Sequence, residues 1–257
     1  MYGLRRRYRK HSVMSAGKYL TIQIYPEYAK FNKGKRRSKH KPTSEAQRKI
    51  NKQAQFWKLV HLCNENFKDG KDYKIELTYD NENLPNNLAQ AKKDIVNFKR
   101  RVNRALKKKG LPVLKCFSVI EQGSKSGRFH HHLIISGGLS WDELDDIWGK
   151  GYTRATKLKF DKQRGLQGLV AYMLKSPVHE EGKAAYSITR NMVEPMSAST
   201  SGRISHRDLQ DLATCTDSSM IERLFPEFEL VGNIEPFYND AFGAFYFFAQ
   251  FVRREKR

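Results

Sequence analysis

Acidic residues are scarce in this chain. Twenty-seven aspartates and glutamates stand against 48 lysines and arginines, for a formal charge of +21 and a pI near 9.9. That imbalance points to a polyanionic partner. Long apolar runs are missing as well: none approaches the roughly 20 residues that a membrane-spanning helix needs. The N-terminal stretch lacks the apolar core of a signal peptide, so a cytoplasmic location without a membrane partner is expected. Cysteine is limited to Cys63, Cys116 and Cys215, widely spaced and odd in number. Such usage excludes a disulfide framework and a zinc knuckle, and leaves the three as packing residues in a reducing compartment. No internal repeat is present. Nor is there a Walker A loop, because Gly123–Gly127 is too short and lacks the Gly-Lys-Ser/Thr ending.

What is present suffices for a core. At 257 residues with 39% hydrophobic and 12% aromatic composition, the chain exceeds what a disordered polymer would carry. Its positive charge is concentrated. Residues 1–60 hold 17 lysines and arginines against two acids, Glu27 and Glu45. A second cluster, Lys99, Arg100, Arg101, Arg104, Lys107, Lys108 and Lys109, closes a helix-like segment. The Lys33–Lys41 stretch reads as an arm that contacts nucleic-acid phosphates.

A strand is expected at Tyr19–Tyr25 and a helix from Pro42 to about Phe67, with Ile50, Phe56, Leu59, Val60 and Cys63 at helical spacing. Tyr73–Tyr79 reads as a strand and Asp80–Pro85 as a turn. The segment Asn87–Lys109 carries an apolar stripe of Leu88, Ala91, Ile95, Phe98, Val102 and Leu106, ending at Gly110. Leu114–Gln122 and Arg128–Ser136 form an antiparallel hairpin about Gly123–Gly127. Ser140 and Glu143 supply a capping box for a short helix to Trp148. Tyr152–Phe160 is a further strand, and Leu166–Lys175 a helix stopped by Ser176-Pro177. Lys183–Arg190 reads as a strand and Gly202–Arg223 as helical pieces. The aromatic-rich Asn233–Phe251 segment reads as a buried strand or hairpin rather than a base-stacking surface. This order predicts an α+β fold, a central antiparallel sheet with helices mainly on one face.

The chemistry concentrates at His130-His131-His132. On a strand, His130 and His132 project from one face while His131 points to the other with Phe129, Leu133 and Ile135. Two imidazoles on one face, behind a Gly-Arg turn, are candidate metal ligands, and His131 is assigned to packing. Glu121, on the neighbouring strand, is the candidate third ligand if strand register turns it toward them. Two imidazoles and a carboxylate suit Mg2+ or Mn2+ acting on phosphate, with zinc possible on ligand type. Downstream, Leu166, Leu169, Val170 and Met173 form a buried helical stripe with Tyr172 at its edge and Lys175 one turn on. Alone, these are a packing tyrosine and a helix-end cation. Beside a metal site in a basic protein, they become a phenol nucleophile and an assisting ammonium for phosphodiester transesterification.

Together these residues resemble the HUH endonucleases (His-hydrophobic-His) that initiate rolling-circle replication, nearest to replication-associated proteins of bacterial mobile elements and of filamentous-phage gene II type. Leu77-Thr78-Tyr79-Asp80 with Leu84-Pro85 is similar to the first motif, Glu121 through His132 to the second, and Tyr172 with Lys175 to the third. Trp148–Tyr152, Tyr186–Asn191, Asn64–Phe67 and Phe237–Asp240 also resemble stretches of that group. The resemblance implies an HUH/Rep-type, ferredoxin-like split βαβ fold with metal and nucleophile on the open face. It implies a strand-specific nick of single-stranded DNA at a replication origin, with Tyr172 left carrying a 5′-phosphate. His130, His132 and Glu121 would hold the divalent metal and Lys175 would assist. Expected DNA contacts are Lys35, Arg36, Arg37, Thr78, Tyr79, Lys125, Arg128 and Arg190. A host helicase and polymerase are implied partners, with no small-molecule substrate. The middle position of the triplet departs from the family's hydrophobic residue, and the third motif has one tyrosine; Tyr186 is a candidate for a second strand transfer. The expected organisation is a basic arm with a strand (1–42), an endonuclease domain (43–195) and an extension packed on the same core (196–257). Rival readings are a transposase or relaxase with the same chemistry, and a basic DNA- or RNA-binding regulator carrying a relic site.

Overall fold

The computed structural model describes residues 7–27, 45–124, 126–180, 184–201, 225–239 and 244–255. In chain order the elements are β1 (Arg7–Ser15), β2 (Tyr19–Glu27), α1 (Glu45–Asn66), β3 (Tyr73–Leu77), α2 (Leu88–Lys108), β4 (Cys116–Gln122) and β5 (Phe129–Ile135). There follow α3 (Trp141–Trp148), β6 (Thr153–Lys157), α4 (Gln167–Met173), β7 (Ser187–Ile188), β8 (Met196–Ser201), β9 (Phe228–Leu230), β10 (Glu235–Asn239) and β11 (Ala244–Arg253). The architecture is α+β, as the alternation of apolar periods predicts. The described residues hold two antiparallel sheets rather than one, and the chain divides into two compact units.

The unit formed by Leu62–Asp161 and Gly165–Glu194 contains the five-stranded sheet, ordered β6-β3-β5-β4-β7. One face is dry. Helix α2 lays Ala91, Ile95, Phe98, Val102 and Leu106 at helical spacing into a cluster with Ile75 and Leu77 of β3, Leu133 and Ile135 of β5, and Leu144 and Trp148 of α3. Burying a side chain such as Phe98 stabilises by about 1.5–3 kcal/mol. The Asn87 side chain caps α2 by accepting from the Gln90 amide at 2.9 Å, and Lys107 and Lys108 face its negative end. The expected capping box of α3 is present, and α3 ends on Gly149 in the left-handed conformation (φ 53°).

Gly151 (φ 146°) is required for a closer approach. A Cβ there would lie 2.5 Å from the Asp80 amide nitrogen. The glycine lets residues 150–152 pair with the end of β3 through Thr78 N–H to Tyr152 O and Asp80 N–H to Lys150 O, both 3.0 Å.

The other unit, Met1–His61 with Lys162–Arg164 and Pro195–Arg257, carries the six-stranded sheet, β10-β11-β2-β1-β8 with β9 paired to β11. The basic start of the chain forms β1, a strand that its polar composition conceals. Tyr8, Leu20, Ile22, Ile24, Phe228, Phe247, Ala249 and Phe251 make its core. Elsewhere in this unit His61 is buried with both ring nitrogens engaged, by Ser15 Oγ at 2.9 Å and Thr21 Oγ1 at 2.7 Å. Burial, with His11 nearby, pushes its pKa down to about 4. The aromatic C-terminal segment is the expected hairpin, β10–β11, with Phe247, Phe248 and Phe251 buried. Strand β1, within the expected basic arm (1–42), pairs directly with β8, within the expected C-terminal extension (196–257). Lys33–Lys41, Gly202–Arg223 and Cys215 lie outside the described residues. Of the strand expected over Lys183–Arg190, the described residues hold β7.

Candidate functional site

Register answers the question that the sequence leaves open. Glu121 of β4 pairs with His130, and Glu76 of β3 pairs with His132. Directly paired residues share a face, so His130, His132, Glu121 and Glu76 all project from the side of the sheet opposite α2. Glu121 Oε2 lies 3.1 Å from His132 Nε2, and Glu76 Oε1 lies 3.9 Å from His130 Nδ1. Among the described residues the buried Nδ1 atoms of His130 and His132 have no hydrogen-bond partner. Burial holds the His132 pKa below its ordinary value against the opposing pull of Glu76 and Glu121. A neutral imidazole keeps a lone pair for a cation.

Glu76 is the acid that sequence reasoning missed. The alternation Lys74-Ile75-Glu76-Leu77 places Glu76 opposite the buried Ile75 and Leu77, but only the β3–β5 pairing sets it beside the histidines.

Two imidazoles and two carboxylates on three adjacent strands form a mixed nitrogen and oxygen donor set of the kind that suits Mg2+ or Mn2+. The chemistry of the set fits a divalent metal. As they stand, the donors pair with one another, and among the described residues no three of His, Cys, Asp and Glu converge on a single point.

Helix α4 brings the phenol to this face. Its start is tied by buried Asn64, whose Oδ1 accepts from the Leu166 amide at 2.8 Å. Val170 and Met173 are buried beneath it, and Tyr172 stands 51% exposed. The Tyr172 ring meets His132 edge-on, with centroids 5.6 Å apart. Lys74 Nζ lies over the same ring, 4.9 Å from its centroid. Lys175 is placed differently: exposed beyond the helix end, it meets Tyr172 through its own amide, which donates to Tyr172 O at 3.2 Å.

The reverse face of β5 holds His131, fully buried as its strand phase predicts. It is more than filling. Its Nε2 is 2.7 Å from Tyr79 Oη, and Tyr79 O–H reaches Asp94 Oδ2 at 3.4 Å. Asp94 also accepts from Gln90 Nε2 at 3.1 Å and pairs with Lys150 Nζ at 3.5 Å. Every donor is satisfied when the proton of His131 sits on Nε2, leaving only an acceptor, Nδ1, without a partner among the described residues. Burial, with the charge of Lys99, pushes the His131 pKa down to about 3, and burial followed by Asp94 pushes the Tyr79 phenol up. Both stay neutral.

Tyr79 is among the expected DNA contacts. It is 4% exposed, and its hydroxyl is committed to His131. The Thr78 hydroxyl donates to Tyr152 O at 3.1 Å. Arg128 is half-buried and bonded through Nη2 to Asn81 Oδ1, and Arg190 is exposed. Tyr186 packs its ring 6.0 Å from that of Phe117. Lys35, Arg36, Arg37 and Lys125 lie outside the described residues. Cys63 and Cys116 are buried free thiols whose pKa values burial raises, in keeping with packing roles. Among the described residues no helix is long and apolar enough to cross a membrane.

Residues 72–177 match the family model of replication-associated proteins of the ORF2 and gene II protein type, a stretch that includes Glu76, Glu121, both outward histidines, Tyr172 and Lys175. No curated protein and no solved structure matches the chain.

Proposed function

We propose that this chain nicks and rejoins single-stranded DNA at a replication origin through Tyr172. Its residues 72–177 are similar to the replication-associated proteins of the ORF2 and gene II type, which supports a Rep-type replication initiator family. The observation that carries the reading is the edge-on contact of the Tyr172 ring with His132 at 5.6 Å, on the face that also bears His130, Glu121 and Glu76. A divalent metal, Mg2+ or Mn2+, would be held by His130, His132 and Glu121 and would supply positive charge beside the scissile phosphate. Glu76, with Oε1 3.9 Å from His130 Nδ1, adds a second carboxylate beside this set.

In the step itself the Tyr172 oxygen forms a bond to phosphorus and the P–O3′ bond breaks. The phenol gives up its proton and the departing 3′-oxygen takes one up. The product is a tyrosyl phosphodiester carrying one negative charge, as the substrate did. Attack by a 3′-hydroxyl reverses the step and rejoins the strand. The high positive charge draws the strand to the protein, and a cytoplasmic setting with a host helicase and polymerase completes the reading.

Mn2+ and end-labelled single-stranded DNA tiling the protein's own replicon test it. A covalent adduct is expected, lost in Tyr172→Phe and with EDTA, and intact DNA across the full tiling would contradict it. A transposase or relaxase would share the adduct and differ in its products on a circular plasmid carrying the element's own origin. A non-catalytic DNA-binding protein with a relic site is favoured by one observation, the direct His132–Glu121 bond that occupies two of the donors. The same tiling separates the two, since binding without an adduct is the relic's outcome.

A further inference from the structure

We infer that Lys74, rather than Lys175, is the positioning cation that seats the phosphate attacked by Tyr172. This rests on the nicking reading above and goes beyond it in assigning the charge. Lys74 lies on β3, between β6 and β5, where both neighbours are hydrogen-bonded strands. It is half-buried and points to the same face as Glu76 two residues on. Its ammonium stands over the Tyr172 ring at 4.9 Å while His132 meets that ring edge-on, so the phenol is held between β3 and β5.

Among the described residues Lys74 forms no ion pair, whereas Lys92, Lys109 and Lys150 on the same unit are each engaged with a carboxylate. Among the described residues that ammonium has no carboxylate partner, and it stands beside a nucleophile on a strand paired on both sides. It can hold an anion at the phenol. The scissile phosphodiester is anionic before and after transfer to Tyr172, so the same cation serves nicking and rejoining. Its flexible four-carbon stem lets the charge reach from ring to phosphate without moving the strand. Lys175 follows a helix end, exposed, with only its amide on Tyr172.

The test compares Lys74→Met, Lys74→Arg and Lys175→Met in the full chain on an oligonucleotide that the wild type cuts. Methionine keeps an apolar stem on the ring and removes the charge. Lys74→Met is expected to lower kcat on the order of 10- to 100-fold, with DNA affinity changed by less than about 3-fold because one phosphate contact among many is removed. Lys74→Arg should restore most of that loss, and Lys175→Met should lose less than Lys74→Met. Wild-type kcat in Lys74→Met, equal loss in Lys74→Met and Lys74→Arg, or a larger loss in Lys175→Met overturns the assignment.

A second measurement does not depend on cutting: amine acylation of the wild type with and without a thymidine 20-mer, read by mass spectrometry. Protection of Lys74 by a larger factor than Lys175 supports the seat, and equal reactivity with and without DNA overturns it. If the wild type forms no Tyr172 adduct, the nicking reading fails, and the acylation result alone decides whether Lys74 holds phosphate.

Discussion

The two faces of one strand separate three identical side chains into two kinds of chemistry. His130 and His132 look out at Glu76 and Glu121, while His131 looks into the core and bonds Tyr79. The same residue type is therefore a donor for a cation on one side and a neutral structural link on the other. His131→Leu fills a similar volume and removes one buried hydrogen bond, which is expected to cost about 1–3 kcal/mol. Nicking should survive it, because the outward histidines keep their strand. His130→Ala or His132→Ala should abolish nicking, His132→Ala with a loss of stability as well because its ring is buried. Urea unfolding alongside the nicking assay checks both, and the reverse pattern would refute the assignment of ligands. The pair His130 and His132 was readable from strand phase alone. Glu76 and Lys74 were not, because their relevance depends on which strand lies beside β5, a long-range pairing that no local pattern encodes.

Elements were legible where one face is apolar and periodic. The stripe of α2 and the capping box of α3 appear in the structure at the positions expected of them. The hairpin β4–β5 follows from two apolar runs about a glycine turn. Strand β1 was hidden, since Arg7–Ser15 offers few apolar side chains and is held by neighbours on both sides, β2 and β8, one of them far along the chain. Helix α4 has only two buried anchors, Val170 and Met173, and no side-chain cap of its own. So short a helix is not stable alone, and Asn64 is what fixes where Tyr172 stands. Asn64→Ala leaves the Leu166 amide buried and unbonded, at an expected cost of about 1–3 kcal/mol. Amide exchange over residues 166–173 should quicken and nicking should fall with DNA affinity retained. Unchanged exchange there would show that the helix is anchored some other way.

At the scale of the molecule, each unit buries a structural histidine in its neutral form, His61 in one and His131 in the other. Their folded-state pKa values of about 4 and about 3 lie below the ordinary 6.5. Below pH 6.5 the unfolded chain takes up protons that the folded chain refuses, so stability falls as pH drops toward 4. Each histidine contributes a loss of about 1.4 kcal/mol per pH unit in that range, and neither contributes a slope well above pH 6.5. Urea unfolding between pH 7.5 and 4.5 measures this, and His131→Leu should flatten the slope of its own unit. A pH-independent midpoint would contradict neutral burial.

Nicking as proposed joins the cut strand to the Tyr172 phenol oxygen. Peptide mass mapping of the DNA–protein adduct tests it most directly. A single modified peptide containing Tyr172 is expected, heavier by a nucleotide joined through a phosphodiester to the phenol. A modification at Tyr186 or any other residue, or cut DNA ending in a free 5′-phosphate with no modified peptide, would contradict it.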